Sequence, residues 1–339
     1  MDEPVEFDRS PDVLYHGVAL RHVVELPVLG VPVRFESNSA AAIETVEDAF
    51  AMWRALRASP ELIAPQSLRV RLIVHEGDEG GALHAAVTCR MPDADRVIVH
   101  TPGSFGIADC SRGEAIAYVT PALLADRAHV RHGVIEGLTL TLVTSRDRYP
   151  VHAAVIARGQ VAMLLAGPPG TGKSTLAYQA YRHGLRVLSD DAAYIQLEPE
   201  FRLWGIPDRV HLLATGSAHF PELAGRPPSV LANGDEKLVV RLPDGWPAPG
   251  AAVPVASRVG VCLLERTGGA ASRAPASSAE VQAFLKEGLG LSRVRFGEAM
   301  DQALARLVPA GGWRLSLSAN PADAVPHLDA ILRWLESQG

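Results

Sequence analysis

Residues 167–174 read Gly-Pro-Pro-Gly-Thr-Gly-Lys-Ser, which satisfies the pattern GxxxxGK[ST]. Each position has a chemical task. Glycines let successive backbone N–H groups turn toward phosphate oxygens, and a helix starting at the loop's end adds its positive dipole end. Lys173 can neutralise β- and γ-phosphate oxygens, while the Ser174 hydroxyl can reach Mg²⁺. The nucleotide-binding set is Gly167, Pro168, Pro169, Gly170, Thr171, Gly172, Lys173, Ser174 and Thr175. Such a loop grips a nucleotide triphosphate; it does not say whether a phosphoryl group then moves.

Seventeen residues after Lys173, the segment LRVLSDD ends in Asp190 and Asp191. That interval holds one helix, a turn and a strand running back beside the loop. Two carboxylates at the strand's end could divide two tasks, holding Mg²⁺ and accepting the proton of an acceptor hydroxyl. Adjacent residues of an extended strand face opposite sides, so both serve one site only if the strand ends there and turns. Ala192 and Ala193 allow such a turn without bulk. Spacing leaves open which carboxylate takes which task.

The order of these features resembles the catalytic domain of HPr kinase/phosphorylase, a P-loop serine kinase family related in core fold to phosphoenolpyruvate carboxykinases. That family carries a histidine, the loop, a helix, a glycine-containing turn and a strand ending in Asp-Asp. Here they correspond to His152, Gly167–Ser174, Gly184 and LRVLSDD. The resemblance implies an α/β fold, with a P-loop kinase core preceded by a smaller α+β domain. It implies an ATP- and Mg²⁺-dependent phosphotransferase acting on a serine-type hydroxyl, with Asp190, His152 and Lys173 catalytic. Asp190 would be the general base assisted by His152, and Ser174 with Asp191 would hold Mg²⁺. Because HPr kinases form hexamers, it also admits a homo-oligomer.

Two departures mark the acceptor half as rebuilt. The family has Glu after the loop serine, where this chain has Thr175. The family's Glu-x-Arg-Gly-x-Gly segment is replaced by FRLWGIPDRVHLLA, although Pro254, Val255 and Arg258 loosely retain a later Pro-Val and arginine. The chain is thus similar to divergent members, some encoded beside peptide-modification genes such as those for lasso peptides. The expected acceptor is a peptide, protein or small molecule other than HPr. Lys237 and Arg258 are further candidates to meet transferred or acceptor phosphate. A competing reading is a nucleotide-dependent switch or an AAA+-like ATPase, for which GPPGTGKST is also usual. Its water-polarising glutamate would be Glu265 in VGVCLLER, which lacks the preceding aspartate, and no arginine finger follows. A binding module without catalysis is the third reading; against it, Lys173, Ser174, Asp190 and Asp191 are all present.

These residues need a scaffold. Over 339 residues, 47% hydrophobic and 21% charged, the chain reads as a soluble globular protein of two domains. A net charge of −6 speaks against nucleic acid or a membrane surface as partner. Scattered Cys89, Cys110 and Cys262 fit a reducing cytoplasm, and the acidic MDEPVEFDRSPD carries no apolar signal core. We expect an N-terminal α+β domain over 1–125 and the catalytic domain over 126–339. In the first, LRHVVELPVLGVPVRFES reads as two strands, AAAIETVEDAFAMWRALRA as a helix, and LRVRLIVH, ALHAAVTCR and RVIVHT as strands, with His75, His84 and His100 as solvated positions. TPALLADRAHVRHGVIEGLTLTLVTS reads as helical. HAAVIARGQVAMLLAG predicts a hairpin feeding the loop, and STLAYQAYRHG a helix closed by Gly184. Beyond it we expect mostly strands, an exposed connection at 267–280, and a final helix capped by Asn320 and Pro321.

Overall fold

The computed structural model describes residues 12, 15–76, 87–207, 209–231, 234–242, 255–289 and 291–338. His84, Asp208, Pro254 and nearly all of the acidic N-terminal stretch lie outside the described residues, as does most of the expected strand ALHAAVTCR.

The phosphate loop hangs from a six-stranded sheet in the order Arg186–Ser189, Ala154–Arg158, Val161–Ala166, Arg258–Arg266, Gly312–Leu317, Ser272–Ala276. Ala154–Arg158 and Val161–Ala166 form the expected hairpin, turning at Gly159-Gln160. Val161–Ala166 then runs parallel to Arg258–Arg266, which runs parallel to Gly312–Leu317. Every residue of Val161–Ala166 is buried, because the sheet is covered on both faces. Alternation divides the strand between two cores. Val161, Met163 and Leu165 meet the helices Lys173–Arg182 and Val325–Ser337. Ala162, Leu164 and Ala166 meet Ser278–Glu287, Leu291–Leu307 and a four-stranded sheet. Fully burying one such leucine contributes ~1.5–3 kcal/mol, enough to fix where the strand ends and the loop begins.

The N-terminal part is a seven-stranded mixed sheet in the order His22–Val28, Val31–Ser37, Leu68–Val74, Glu114–Val119, Ser104–Asp109, Arg96–Thr101, Thr88–Arg90. Helix Ala40–Phe50 and the helical run from Pro121 to Val143 cover it. Leu123, Val130, Val134, Leu138 and Leu142 share one core with strand residues such as Val70 and Ala117. By packing, therefore, the helical run over residues 121–143 lies against the first sheet. Two units are visible, but they are not separate. Trp53 meets Trp204 at 6.0 Å, and the buried Arg148 lies 5.1 Å over Trp204 while donating from Nε to Leu29 O at 2.8 Å. Burial pushes the Arg148 guanidinium down to about 10, against the nearby Asp147.

Smaller expectations also needed correction. The 267–280 connection contains an edge strand, Ser272–Ala276, and Ser277 with Glu280 forms a capping box on the next helix. Asn320 does cap the C-terminal element, accepting from Ala322 N, but the first turn is 3₁₀. His75 is partly buried against Tyr15 and Tyr118, and His100 is exposed. All three cysteines are free, and Cys89 is exposed. No helix among the described residues is long and apolar enough to cross a membrane.

Candidate active site

Between the strand Val161–Ala166 and the helix Lys173–Arg182, residues 167–172 form the loop. Gly170 and Gly172 have φ of 76° and 114°, a region that costs other residues strain. Lys173 is buried, and its ammonium donates to Gly167 O at 2.9 Å and Pro168 O at 3.3 Å, inside the loop's curve. Burial lowers its pKa, opposed by Asp191 and Asp190. Thr171 Oγ1 donates to Pro168 O at 2.6 Å, and Arg266 Nε donates to Thr171 O at 2.9 Å. The loop is therefore held from behind by its own hydroxyl and by a residue of the neighbouring strand.

Two cavities meet at this loop. The first, about 640 Å³, is lined by Pro169, Gly170, Gly172, Lys173, Ser174 and Thr175, together with His152 and Asp191. Arg266 and Lys237 line it from other elements. The second, about 350 Å³, is lined by Asp190, Arg131, Glu136, Tyr194 and Arg209. Ser174, Asp191, His211 and Lys237 belong to both walls.

The aspartate pair separates them. Strand Arg186–Ser189 belongs to the six-stranded sheet and Ala192–Gln196 to the four-stranded one, so Asp190 and Asp191 lie where the chain crosses between sheets. Ser189 Oγ donates to Ala192 O across that bend. The two side chains diverge as a result. Asp191 is exposed in the first cavity, with Oδ1 3.3 Å from His152 Nδ1. Asp190 is 5% exposed and lines only the second. Its Oδ2 accepts from His211 N at 2.7 Å and lies 3.2 Å from His211 Nδ1. Its Oδ1 is buried with no partner. Leaving a buried acceptor unpaired costs ~1–3 kcal/mol, a cost a ligand's donor would remove.

This corrects the expected place of His152. The register pairs His152 with Ala192, and Ala153 N donates to Asp191 O at 3.0 Å, so the imidazole meets Asp191 rather than Asp190. Arg258 is a second correction: it is exposed and donates to Leu335 O and Glu336 O at the end of the last helix, away from both cavities. Lys237 does reach them, 3.5 Å from Asp235. Glu265 turns to Ser316 Oγ at 2.8 Å and lines neither cavity, so the water-polarising glutamate of the ATPase reading is not in place.

Sequence reading missed His211, Arg209, Arg266 and the Arg131–Glu136 segment. That segment is π-helical: Arg131 Nε donates to Glu136 Oε1 at 2.6 Å, and His132 Nδ1 lies 2.7 Å from Oε2. Burial pushes the Glu136 carboxyl up, but His132 and Arg131 together hold it below its ordinary value. Arg209 and His211 lay within FRLWGIPDRVHLLA, where alternation in the strand was the available signal.

No protein-family model and no curated protein matches the chain. Among solved structures, the chain is similar to the Hpr(Ser) kinase/phosphatase from Coxiella burnetii, at 11% sequence identity and a TM-score of 0.30, over 56% of this chain and 90% of that one.

Proposed function

We propose that this chain is an ATP- and Mg²⁺-dependent kinase that transfers the γ-phosphate to a hydroxyl of a peptide, protein or small molecule other than HPr. One observation carries the reading. A buried carboxylate with an unpaired oxygen, Asp190, lines a cavity that shares a wall with the phosphate-loop cleft. A nucleotide switch needs the cleft alone, whereas a transferase needs a second place, for the acceptor.

The triphosphate lies in the larger cleft, with Lys173 on its β- and γ-oxygens. Ser174 and Asp191 fit Mg²⁺ as a partial ligand set. Among the described residues no cluster of three or more His, Cys, Asp or Glu could hold a metal, and Mg²⁺ bound with nucleotide phosphates takes only one or two protein carboxylates. When bound, Mg²⁺ neutralises charge on the phosphate oxygens. The acceptor hydroxyl enters the smaller cavity and gives its proton to Asp190 Oδ1. Its oxygen bonds to the γ-phosphorus as the bond to the ADP oxygen breaks. Lys173 spreads the charge that develops on the departing oxygen.

The test is transfer from γ-labelled Mg·ATP to a panel of hydroxyl-bearing peptides, proteins and metabolites. Label should appear on an acceptor, and Lys173→Ala should abolish it. Label released only as inorganic phosphate, whatever acceptor is offered, would overturn the kinase reading in favour of an ATPase.

A further inference from the structure

His211 makes the closest polar contacts to Asp190, yet the transfer scheme gives it no task. We infer that His211 is the positioning residue for Asp190: it occupies one carboxylate oxygen so that the other faces the acceptor. This rests on the kinase reading above.

The geometry is specific. Backbone N and ring Nδ1 of His211 both approach Asp190 Oδ2, at 2.7 and 3.2 Å. A carboxylate held by one donor can rotate and exchange its oxygens, whereas two donors at one oxygen fix the plane of the group. Oδ1 is then left buried without a partner, on a residue that lines the 350 Å³ cavity. A carboxylate that is to act as a base only accepts hydrogen bonds, so this contact requires the ring to donate from Nδ1.

His211 is itself held from two directions. Its strand, Arg209–Leu212, pairs with Glu236–Arg241, placing His211 opposite Val239. The His132 ring stands edge-on to it at 6.4 Å, tied by Nδ1 to Glu136, whose other oxygen takes Arg131. His132 and Glu136 come from the π-helical turn Arg131–Glu136, a kind of turn that recurs at functional sites. This turn thus backs the residue that aims the base.

The experiment uses the full chain and two substitutions. His211→Asn keeps a side-chain nitrogen donor near the position of Nδ1, and His211→Leu fills similar volume with no donor. Phosphate release from γ-labelled Mg·ATP, with water as acceptor, is followed in single turnovers, and nucleotide affinity is followed by titration with a fluorescent ATP. His211→Leu should slow turnover at least ~10-fold at saturating nucleotide, with affinity within about twofold, and His211→Asn should recover most of the rate. Adding His211→Leu to Asp190→Asn should cost nothing further, since both act through one group. Equal slowing by both His211 variants, or additive losses with Asp190→Asn, would overturn the inference. ¹⁵N resonances of the His211 ring separate its failure from that of the kinase reading. If wild type passes label to no acceptor of the panel, the kinase reading fails; an unprotonated Nδ1 overturns the His211 contact whatever the turnover.

Discussion

The cleft beside the phosphate loop and the smaller cavity behind it share Ser174, Asp191, His211 and Lys237, yet the rest of their walls are built in opposite ways. The cleft's grip comes from consecutive residues, 167–175, at the junction of one strand and one helix. Its key donors are backbone groups and one lysine, so chain-local conformation suffices. The cavity draws Arg131 and Glu136, Asp190, Arg209 and His211, and Lys237 from four distant stretches of chain. Only the tertiary fold brings them together. A local device shows as a consecutive run of residues, whereas the cavity's residues are scattered along the chain.

Breaking the local device should cost both nucleotide grip and turnover. Lys173→Ala removes the cation opposite the β/γ-phosphates and should lower turnover by ~10²–10³ or more at saturating Mg·ATP. Near-normal turnover would mean another loop is at work. Next in size, Gly172→Ala forces a Cβ onto a residue at φ 114° and within 3.1 Å of Arg266 Nη2. A strain of ~1–2 kcal/mol should weaken nucleotide binding about 5- to 30-fold, read by titration, without altering the smaller cavity. Smallest of all, Arg258→Ala should leave turnover unchanged and shift stability by no more than ~0.5 kcal/mol, read by denaturant unfolding. Its guanidinium touches only carbonyls at the last helix's end.

Much of the scaffold was legible in the sequence. The strand Val161–Ala166 could be read because both its faces are buried and its residues form an unbroken apolar run. The hairpin at Gly159, the loop and the aspartate bend followed from residues close together in the chain. What could not be read depended on register. Whether His152 met Asp190 or Asp191 was decided by one residue of pairing with Ala192. The strand Ser272–Ala276 carries Arg, Pro and alanine, so its polar edge residues hid it. Helical patterning across 121–143 gave the elements, but only packing showed that they belong to the first sheet's core. His211 carries no local signature; its role exists only because its strand passes Asp190.

The most direct test compares Asp190→Asn with Asp191→Asn, using nucleotide titration against Mg²⁺ and single-turnover phosphate release. If Asp190 serves the smaller cavity alone while Asp191 reaches the cleft, their losses must differ in kind. Asp190→Asn should slow turnover by ~10²–10⁴, the usual worth of a general base, while binding Mg·ATP as wild type does. Asp191→Asn should raise the Mg²⁺ concentration needed for both binding and turnover. Wild-type turnover in both variants would contradict the account, because the wall between the two cavities would then have no chemical task.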